Sequence, residues 1–451
     1  MTSSSLRMIA VLGLGRSGRA VCLRAAQHGI SHVAYDDRLA ENAETHIQDI
    51  CLTPPADWAW DSLDALVISP GIPHHHPAPH PIAQQALNAG IPIISEIEFA
   101  LRTGLTGQFV TVTGTNGKST ITALIGHILA EAGYEVAIGG NLGKPLCELP
   151  ALSKSGIYVA ELSSYQLETT PSLSSDCAII SNITPDHLDR HGGFEGYVNA
   201  KKNALLSVKA GGLACLGIGP VLDEFTDILG ADITCLRLDM SQQDTSDNAL
   251  LNSIHNPALS GPHNTENCLA ALLVCRYFGL SDTVMHDAMT RFSGLPHRMQ
   301  PAGQSGAISF INDSKATNAD AAARALLSFD SIWWCAGGLA KDAGLTACLP
   351  HLAAVRGAFL YGASAHDFAR QLDGLVPVSL NETLDQAVGA AVASARADKS
   401  TDTHTILLSP AAASFDQYDS FEARGDAFCA HARELIASGM SPTSGKAVPH
   451  A

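Results

Sequence analysis

At 451 residues the chain is long enough for roughly three domains of about 150 residues each, and an apolar fraction of 46% excludes a disordered polypeptide. Its 27 Lys and Arg against 44 Asp and Glu leave a formal charge of -17 with no long basic block, which excludes nucleic acid and anionic membrane surfaces as natural partners. A polyanionic small molecule would have to be met by locally placed cations and helix N-termini.

The N-terminal stretch MTSSSLRMIAVLGLG carries a brief apolar run that leads directly into a glycine turn. It reads as a first strand and not as a signal peptide, and no run of 18 or more apolar residues follows anywhere, so no membrane insertion is expected. From there, short apolar runs alternate with Ala/Leu-rich segments almost to the end, which predicts an α/β protein built on parallel sheets. The first such unit is MIAVLGLGRSG at 8–18, a strand and then Gly13, Gly15 and Gly18 before a helix to about Gln27. It continues through HVAYDD at 32–37 and ALVISPG at 65–71. Glycines there permit close backbone approach to a diphosphate. By itself the fingerprint leaves NAD, a uridine nucleotide or no ligand open.

The rhythm restarts at QFVTVTGTNGKSTITALIGHILAEAG, 108–133. A complete phosphate loop asks for a glycine separated by four residues from the GK pair, but Val112 stands there and Gly114 follows two residues later. The compact variant still offers the N–H groups of Gly114, Thr115, Asn116 and Gly117 to phosphate, Lys118 to the terminal phosphates, and the Ser119 or Thr120 hydroxyl to magnesium. Glu161 ends a further apolar strand where a carboxylate can face a nucleotide. His187 lies between Asp186 and Asp189 after another, readable either as a capped polar turn or as an imidazole at a metal. Of the adjacent Lys201 and Lys202, composition does not choose.

A third restart begins at AISFINDSKATN, 307–318, and runs through WWCAGG, AFLYGAS and TILLSPAAASFD. Each is an apolar run ending in small or polar residues, where ligands bind in open parallel sheets. Eleven cysteines are dilute and odd in number, and Cys22, Cys268 and Cys335 sit in apolar segments. These features predict reduced core thiols and a cytoplasmic location. The HHH run at 74–76 lies among prolines without zinc-like spacing and is not read as a metal site.

Ten motifs, in order along the chain, then bear on one family. They are GLGRSG (13–18), SPGIP (69–73), TGTNGKST (113–120), GGNLG (139–143), ELSSYQLE (161–168), NITPDHLDRHG (182–192), GPHNTEN (261–267), GLPHR (294–298), NDSKATN (312–318) and SPAAASFDQYDSFEARG (409–425). Together they resemble the ATP-dependent Mur ligases of bacterial cell-wall synthesis. The resemblance implies a Rossmann-like N-terminal domain for a uridine nucleotide (1–98), a central P-loop ATPase domain (99–301) and a Rossmann-like C-terminal domain for an incoming amino acid (302–451).

It also implies the site residues. Gly15, Arg16, Ser17, Asp36, Arg38, Ser69, Gly71 and Asn141 would contact the uridine-bearing acceptor. Asp37 stands where the family often has Thr or Ser. Lys118 would bind ATP phosphates, Ser119 and Glu161 one magnesium ion, and His187 and a carbamylated Lys201 a second. Lys201 is favoured over Lys202 because it fits the family's Y-x-x-A-K spacing from Tyr197. Asn264, Asn267, Arg298 and Asp313 match nucleotide contacts, and Lys315 and Thr317 lie where the third domain meets the reaction centre. Lys341, Ser409, Ala411, Phe415 and Phe421 match the amino-acid site, with Ala340 replacing the usual acidic residue before Lys341. The implied acceptor is UDP-N-acetylmuramoyl-L-alanine and the implied amino acid D-glutamate, joined by a monomeric enzyme through an acyl phosphate. A DNPR-like motif, typical of family members acting on a diaminoacid, is absent. Competing readings are another ATP-dependent amide ligase, an NAD dehydrogenase using only the first fingerprint, and a nucleotide-gated binding module without turnover.

Overall fold

The computed structural model describes residues 6–42, 44–47, 49–242, 244–340, 344–400 and 403–439. Three sheets of four or more strands carry it. The first is all parallel, in the order Ser31–Tyr35, Met8–Leu12, Ala65–Ile68, Ile93–Ile94. From the strand Met8–Leu12 the chain goes to one side and then returns to the other. That reversal opens a crevice at the strand's carboxyl end, where Gly13, Asp36 and Ser69 lie.

The second sheet is also parallel, ordered Thr234–Arg237, Val208–Leu216, Ser175–Ile180, Gln108–Thr113, Ile157–Glu161, Val136–Gly140. Its inner strands are apolar on both faces because helices cover both. The run Ile157–Glu161 is buried at every position. The third sheet runs Gln300–Ser305, Ile308–Asn312, His404–Leu408, Ile332–Gly337, Val355–Tyr361, Val378–Leu380. Its first strand is antiparallel and the others are parallel. That first strand, QPAGQS, has too little apolar alternation to be read as a strand. A tight turn at Gly306 pairs it with its neighbour at a sheet edge, where polar residues are tolerated.

The period of two along each strand divides the core. In the third sheet Trp334, Ala336, Ala358, Leu360 and Leu407 pack on one face, and Trp333, Cys335, Phe359, Ile406 and Leu408 on the other. The first sheet divides likewise, Ile9, Val11 and Val67 against Ala10, Leu12 and Leu66. Cys22, Cys268 and Cys335 are buried free thiols, as expected.

The chain forms two compact units. One comprises residues up to 254 together with 266–291 and holds the first two sheets; the other comprises 255–265 and the chain from 292 and holds the third. No helix among the described residues is long and apolar enough to cross a membrane.

Candidate active site

The phosphate loop joins the strand Gln108–Thr113 to the helix Lys118–Glu131. Gly117 begins that helix with φ 88°, and a methyl group there would lie 2.6 Å from Asn267 Oδ1, so conformation and space both require glycine. Its N-cap is Gly117, which has no side chain to cap the helix, and the N-terminus of a helix favours an anion. The loop is braced from behind. Thr115 N–H donates to Asn182 O at 2.9 Å, Asn116 N–H donates to Asn182 Oδ1 at 2.9 Å, and Thr115 Oγ1 meets Tyr197 Oη at 2.9 Å.

Two lysines converge on this loop. Lys118 Nζ donates to the carbonyls of Gly114 (3.0 Å) and Thr115 (2.8 Å), and Lys201 Nζ donates to Gly114 O at 2.8 Å and lies 4.8 Å from the Tyr197 ring centroid. Lys201 is buried whereas Lys202 is partly exposed, so the fold makes the choice that composition left open. Burial, and then the nearby Lys118 charge, hold the Lys201 amine well below its ordinary range, with Asp186 and Glu161 opposing.

Register places Glu161 beside Val112 and Gly140 on an interior strand, at the same sheet end as the loop. One carboxylate oxygen accepts from Asn141 Nδ2 at 2.6 Å. The other is buried without a hydrogen-bond partner. Ser119 is buried at the start of the helix, and Thr120 is partly exposed. His187 adopts a left-handed conformation (φ 53°), with Nε2 3.5 Å from Asp186 Oδ2 and its ring 5.2 Å from that of Tyr165. Lys118, Asn141, Asp186, His187 and Lys201 line a cleft of about 290 Å³, partly open to solvent, together with Pro70 and Gly71 from the loop after the first sheet's strand Ala65–Ile68. Seven residues from motifs far apart in sequence thus share one wall.

The first sheet supplies the glycine turn. A methyl group on Gly18 would sit 1.8 Å from Gly13 O, so that glycine lets the helix Arg16–Gln27 lie against the turn. Asp36 is bound to backbone on both oxygens, accepting from Leu14 N–H (2.8 Å) and Leu39 N–H (3.2 Å). Its carboxylate therefore shapes the crevice. Ser69 Oγ donates to Gly13 O at 2.9 Å. Gly15, Arg16 and Arg38 are exposed, Ser17 is half-buried, and Arg16 donates to Gly143 O at 2.9 Å. Asp37, the departure from the family pattern, pairs with His80 at 3.0 Å.

In the second unit Asp313 is buried, accepts from Ser409 Oγ (2.9 Å) and Met299 N–H (3.3 Å), and burial pushes its carboxyl up to about 7. Ser409 is fully buried in that role. Arg298 is half-buried between His297 and Met299, both at positive φ (61° and 44°), which marks a constrained turn. Lys315 Nζ lies 3.8 Å from the Phe421 ring centroid, and Thr317 N–H donates to Lys315 O at 2.8 Å. Ala411 is buried at φ 58° and Phe415 is 70% exposed. Asn264 donates to Ser260 O at 2.8 Å. Lys341 lies outside the described residues.

A Mur ligase middle domain model matches residues 112–275. The UDP-N-acetylmuramoylalanine--D-glutamate ligase of Paramagnetospirillum magneticum is 40% identical over 444 residues, covering 95% of this chain and 96% of that protein. The one from Rhodospirillum rubrum is 41% identical over 455 residues, covering 95% and 94%. The chain belongs to the Mur ligase family. Among solved structures, the UDP-N-acetylmuramate-alanine ligase of Thermotoga maritima is similar in fold, with a TM-score of 0.58 at 17% identity over 95% of this chain and 99% of that one.

The donor set fits the magnesium that this family uses with ATP. Glu161 presents a buried carboxyl oxygen with no hydrogen-bond partner among the described residues, beside a loop with a buried serine hydroxyl, and hard oxygen donors suit that cation. Reading the sequence missed three charged residues that brace loops, one in the second unit and two in the first. Arg424 is fully buried and donates to Ser314 O (2.9 Å), Ala412 O (3.1 Å) and Gly337 O (3.4 Å), pinning three loops of the second unit. Arg190 and Glu168 tie the first sheet's turn to the cleft. All three lay inside quoted motifs, but only an apolar setting for a charged side chain could have signalled them.

Proposed function

We propose that the protein is an ATP-dependent ligase that joins D-glutamate to UDP-N-acetylmuramoyl-L-alanine, releasing ADP and phosphate, in peptidoglycan precursor synthesis. The observation that carries this reading is the shared cleft, where the phosphate loop's Lys118 faces the Pro70–Gly71 turn that ends a nucleotide-binding crevice. Naming of the 40%-identical relatives supports D-glutamate over other amino acids.

In this reading Gly15, Arg16, Ser17, Asp36, Arg38, Ser69, Gly71 and Asn141 serve the acceptor, with Asp36 acting by fixing the glycine turn. Asn264, Asn267, Arg298 and Asp313 serve the nucleotide, Lys315 and Thr317 lie at the reaction centre, and Lys341, Ser409, Ala411, Phe415 and Phe421 serve the amino-acid site, with Ser409 acting by fixing Asp313. The division into domains at 98 and 301, a monomeric state and a cytoplasmic location belong to the same proposal.

A free carboxylate is a poor acyl donor because its leaving group is an oxide. Conversion to an acyl phosphate supplies phosphate as the leaving group, which the D-glutamate amine then displaces to form the amide. Lys118 and the helix N-terminus offset charge on the transferring phosphoryl group. Ser119 and Glu161 would hold one magnesium ion, and His187 with a carbamylated Lys201 a second. Magnesium bound there supplies neutralisation of phosphate oxygens. Lys201 suits carbamylation because burial shifts its amine toward the neutral form, whose lone pair attacks carbon dioxide with loss of a proton, and the product is an anion.

Phosphate release with UDP-N-acetylmuramoyl-L-alanine, ATP and a panel of amino acids tests the reading. D-glutamate should be strongly preferred, and preference for L-alanine or a diaminoacid would reassign the enzyme within its family.

A further inference from the structure

The Pro70–Gly71 turn reaches the cleft from the first sheet, whereas the phosphate loop belongs to the second. Something must fix one against the other. Arg190, on the short helix Leu188–His191 that follows His187, donates to Gly71 O at 2.7 Å, Ile72 O at 3.0 Å and Pro70 O at 3.5 Å. Because a peptide unit is planar and trans, a carbonyl held on one side aims the following N–H to the other. Arg190 therefore fixes the peptide planes of the Pro70–Ile72 turn, most firmly the one after Gly71.

The same guanidinium lies 4.7 Å from the centroid of the Tyr165 ring, a wall of the cleft. On that ring His191 is stacked at 5.1 Å and 12°. The imidazole is itself fixed at both nitrogens, by Glu168 Oε1 at Nδ1 and Ser164 Oγ at Nε2, each at 2.8 Å. Glu168's other oxygen lies 3.7 Å from His74 Nε2, three residues beyond Gly71. Two buttresses therefore cross from the second sheet's motifs to the loop 70–74, through Arg190 and through Glu168.

We propose that Arg190 and Glu168 are positioning residues, which hold the 70–74 loop in the one orientation that presents the acceptor's carboxylate at Lys118. The proposal rests on the ligase reading above. Neither side chain is assigned a place against substrate.

Steady-state phosphate release by the full-length protein, varying acceptor and ATP separately, tests it. Arg190→Ala should raise KM for UDP-N-acetylmuramoyl-L-alanine by about tenfold or more, since a small displacement of a bound reactant is costly, while KM for ATP moves less than about twofold. Arg190→Lys, which keeps the charge but not the fork, should fall between. Glu168→Ala should shift the same constant, and Glu168→Gln should restore most of it, because an amide oxygen still accepts the His191 Nδ1–H. Unchanged acceptor KM in both alanine variants would overturn the proposal. So would an equal rise in both KM values with a lowered melting temperature. If the wild type releases no phosphate with any amino acid, the ligase reading fails. Calorimetric binding of the acceptor alone then decides on Arg190, an affinity equal to wild type in Arg190→Ala overturning the proposal.

Discussion

The cleft beside the phosphate loop and the loops of the third sheet differ in how their polar groups are satisfied. In the cleft, charged groups stand partly unmet: one Glu161 oxygen has no hydrogen-bond partner, and the Lys201 amine is held toward its neutral form. At the third sheet, candidate residues are consumed by the scaffold, with Ser409 bound to Asp313 and Arg424 to three loop carbonyls. A region built to receive highly charged ligands keeps unsatisfied groups at a cost in stability. A region proposed to receive a small amino acid can be stiffened by its own bonds. Substitutions in the first should damage catalysis and spare stability, and those in the second should do the reverse.

The largest effect expected is at Lys118. Replacement by alanine should lower phosphate release by at least about two orders of magnitude, the scale of removing a charge aimed at a transition state. The melting temperature should move little by comparison, because Lys118 is half-buried and its bonds to the Gly114 and Thr115 carbonyls lie within its own loop. Near-normal turnover would break the comparison at its strongest point.

Lys201 sharpens it. Lys201→Ala should lose roughly tenfold or more in turnover, within the range for losing a group that orients a reaction, while Lys202→Ala stays close to wild type. A small carboxylate such as acetate should partly restore Lys201→Ala, by supplying the anionic oxygens that carbamylation would have made. Equal losses at the two lysines would remove Lys201 from the site.

How far the sequence spoke also separates the regions. The strand, glycine loop, lysine and helix at 108–133 were legible because each residue type is demanded by local geometry that a linear motif preserves. Glu161 was legible for the same reason, as the last residue of an apolar strand. Choosing Lys201 over Lys202 by physics alone was not possible, because the difference is burial against the loop, a property of tertiary packing. Ser409 was legible as a motif position but not as Asp313's partner, since 96 residues separate them. Arg424 and Arg190 carry no local signal of their role, because the carbonyls they hold lie elsewhere in the chain. The polar edge strand Gln300–Ser305 had no periodicity to betray it.

A smaller effect concerns a buried acid in the first unit outside the cleft's charged wall. Glu96 is buried beside Cys147, whose N–H it accepts, and burial pushes its carboxyl up to about 7, against an ordinary glutamate value of about 4.3. An acid whose folded value is raised contributes stability that is fully present below about pH 4 and is lost as pH rises toward 7. Glu96→Gln keeps the acceptor without the charge. Relative to wild type it should therefore gain stability between pH 5 and 8, by on the order of 2 kcal/mol from a shift of this size. Denaturant unfolding at pH 5 and pH 8 measures the difference, and a constant offset between the two would mean that Glu96 stays ionised.

The smallest effect tests the scaffold side of the comparison. Ser409→Ala removes the hydroxyl that donates to Asp313 Oδ2 and leaves a buried acceptor with one donor fewer, which should cost about 1–2 kcal/mol. The cost should depend on pH in a set direction. Burial raises Asp313 to about 7, so at pH 5 the group is largely protonated and needs the donor less, whereas at pH 8 it is ionised and needs it more. Unfolding of Ser409→Ala against wild type should therefore differ more at pH 8 than at pH 5. If stability is unchanged at both values and only KM for D-glutamate rises, the hydroxyl serves the substrate and not Asp313, and the contrast between an unsatisfied cleft and a self-satisfied third sheet would lose its second half.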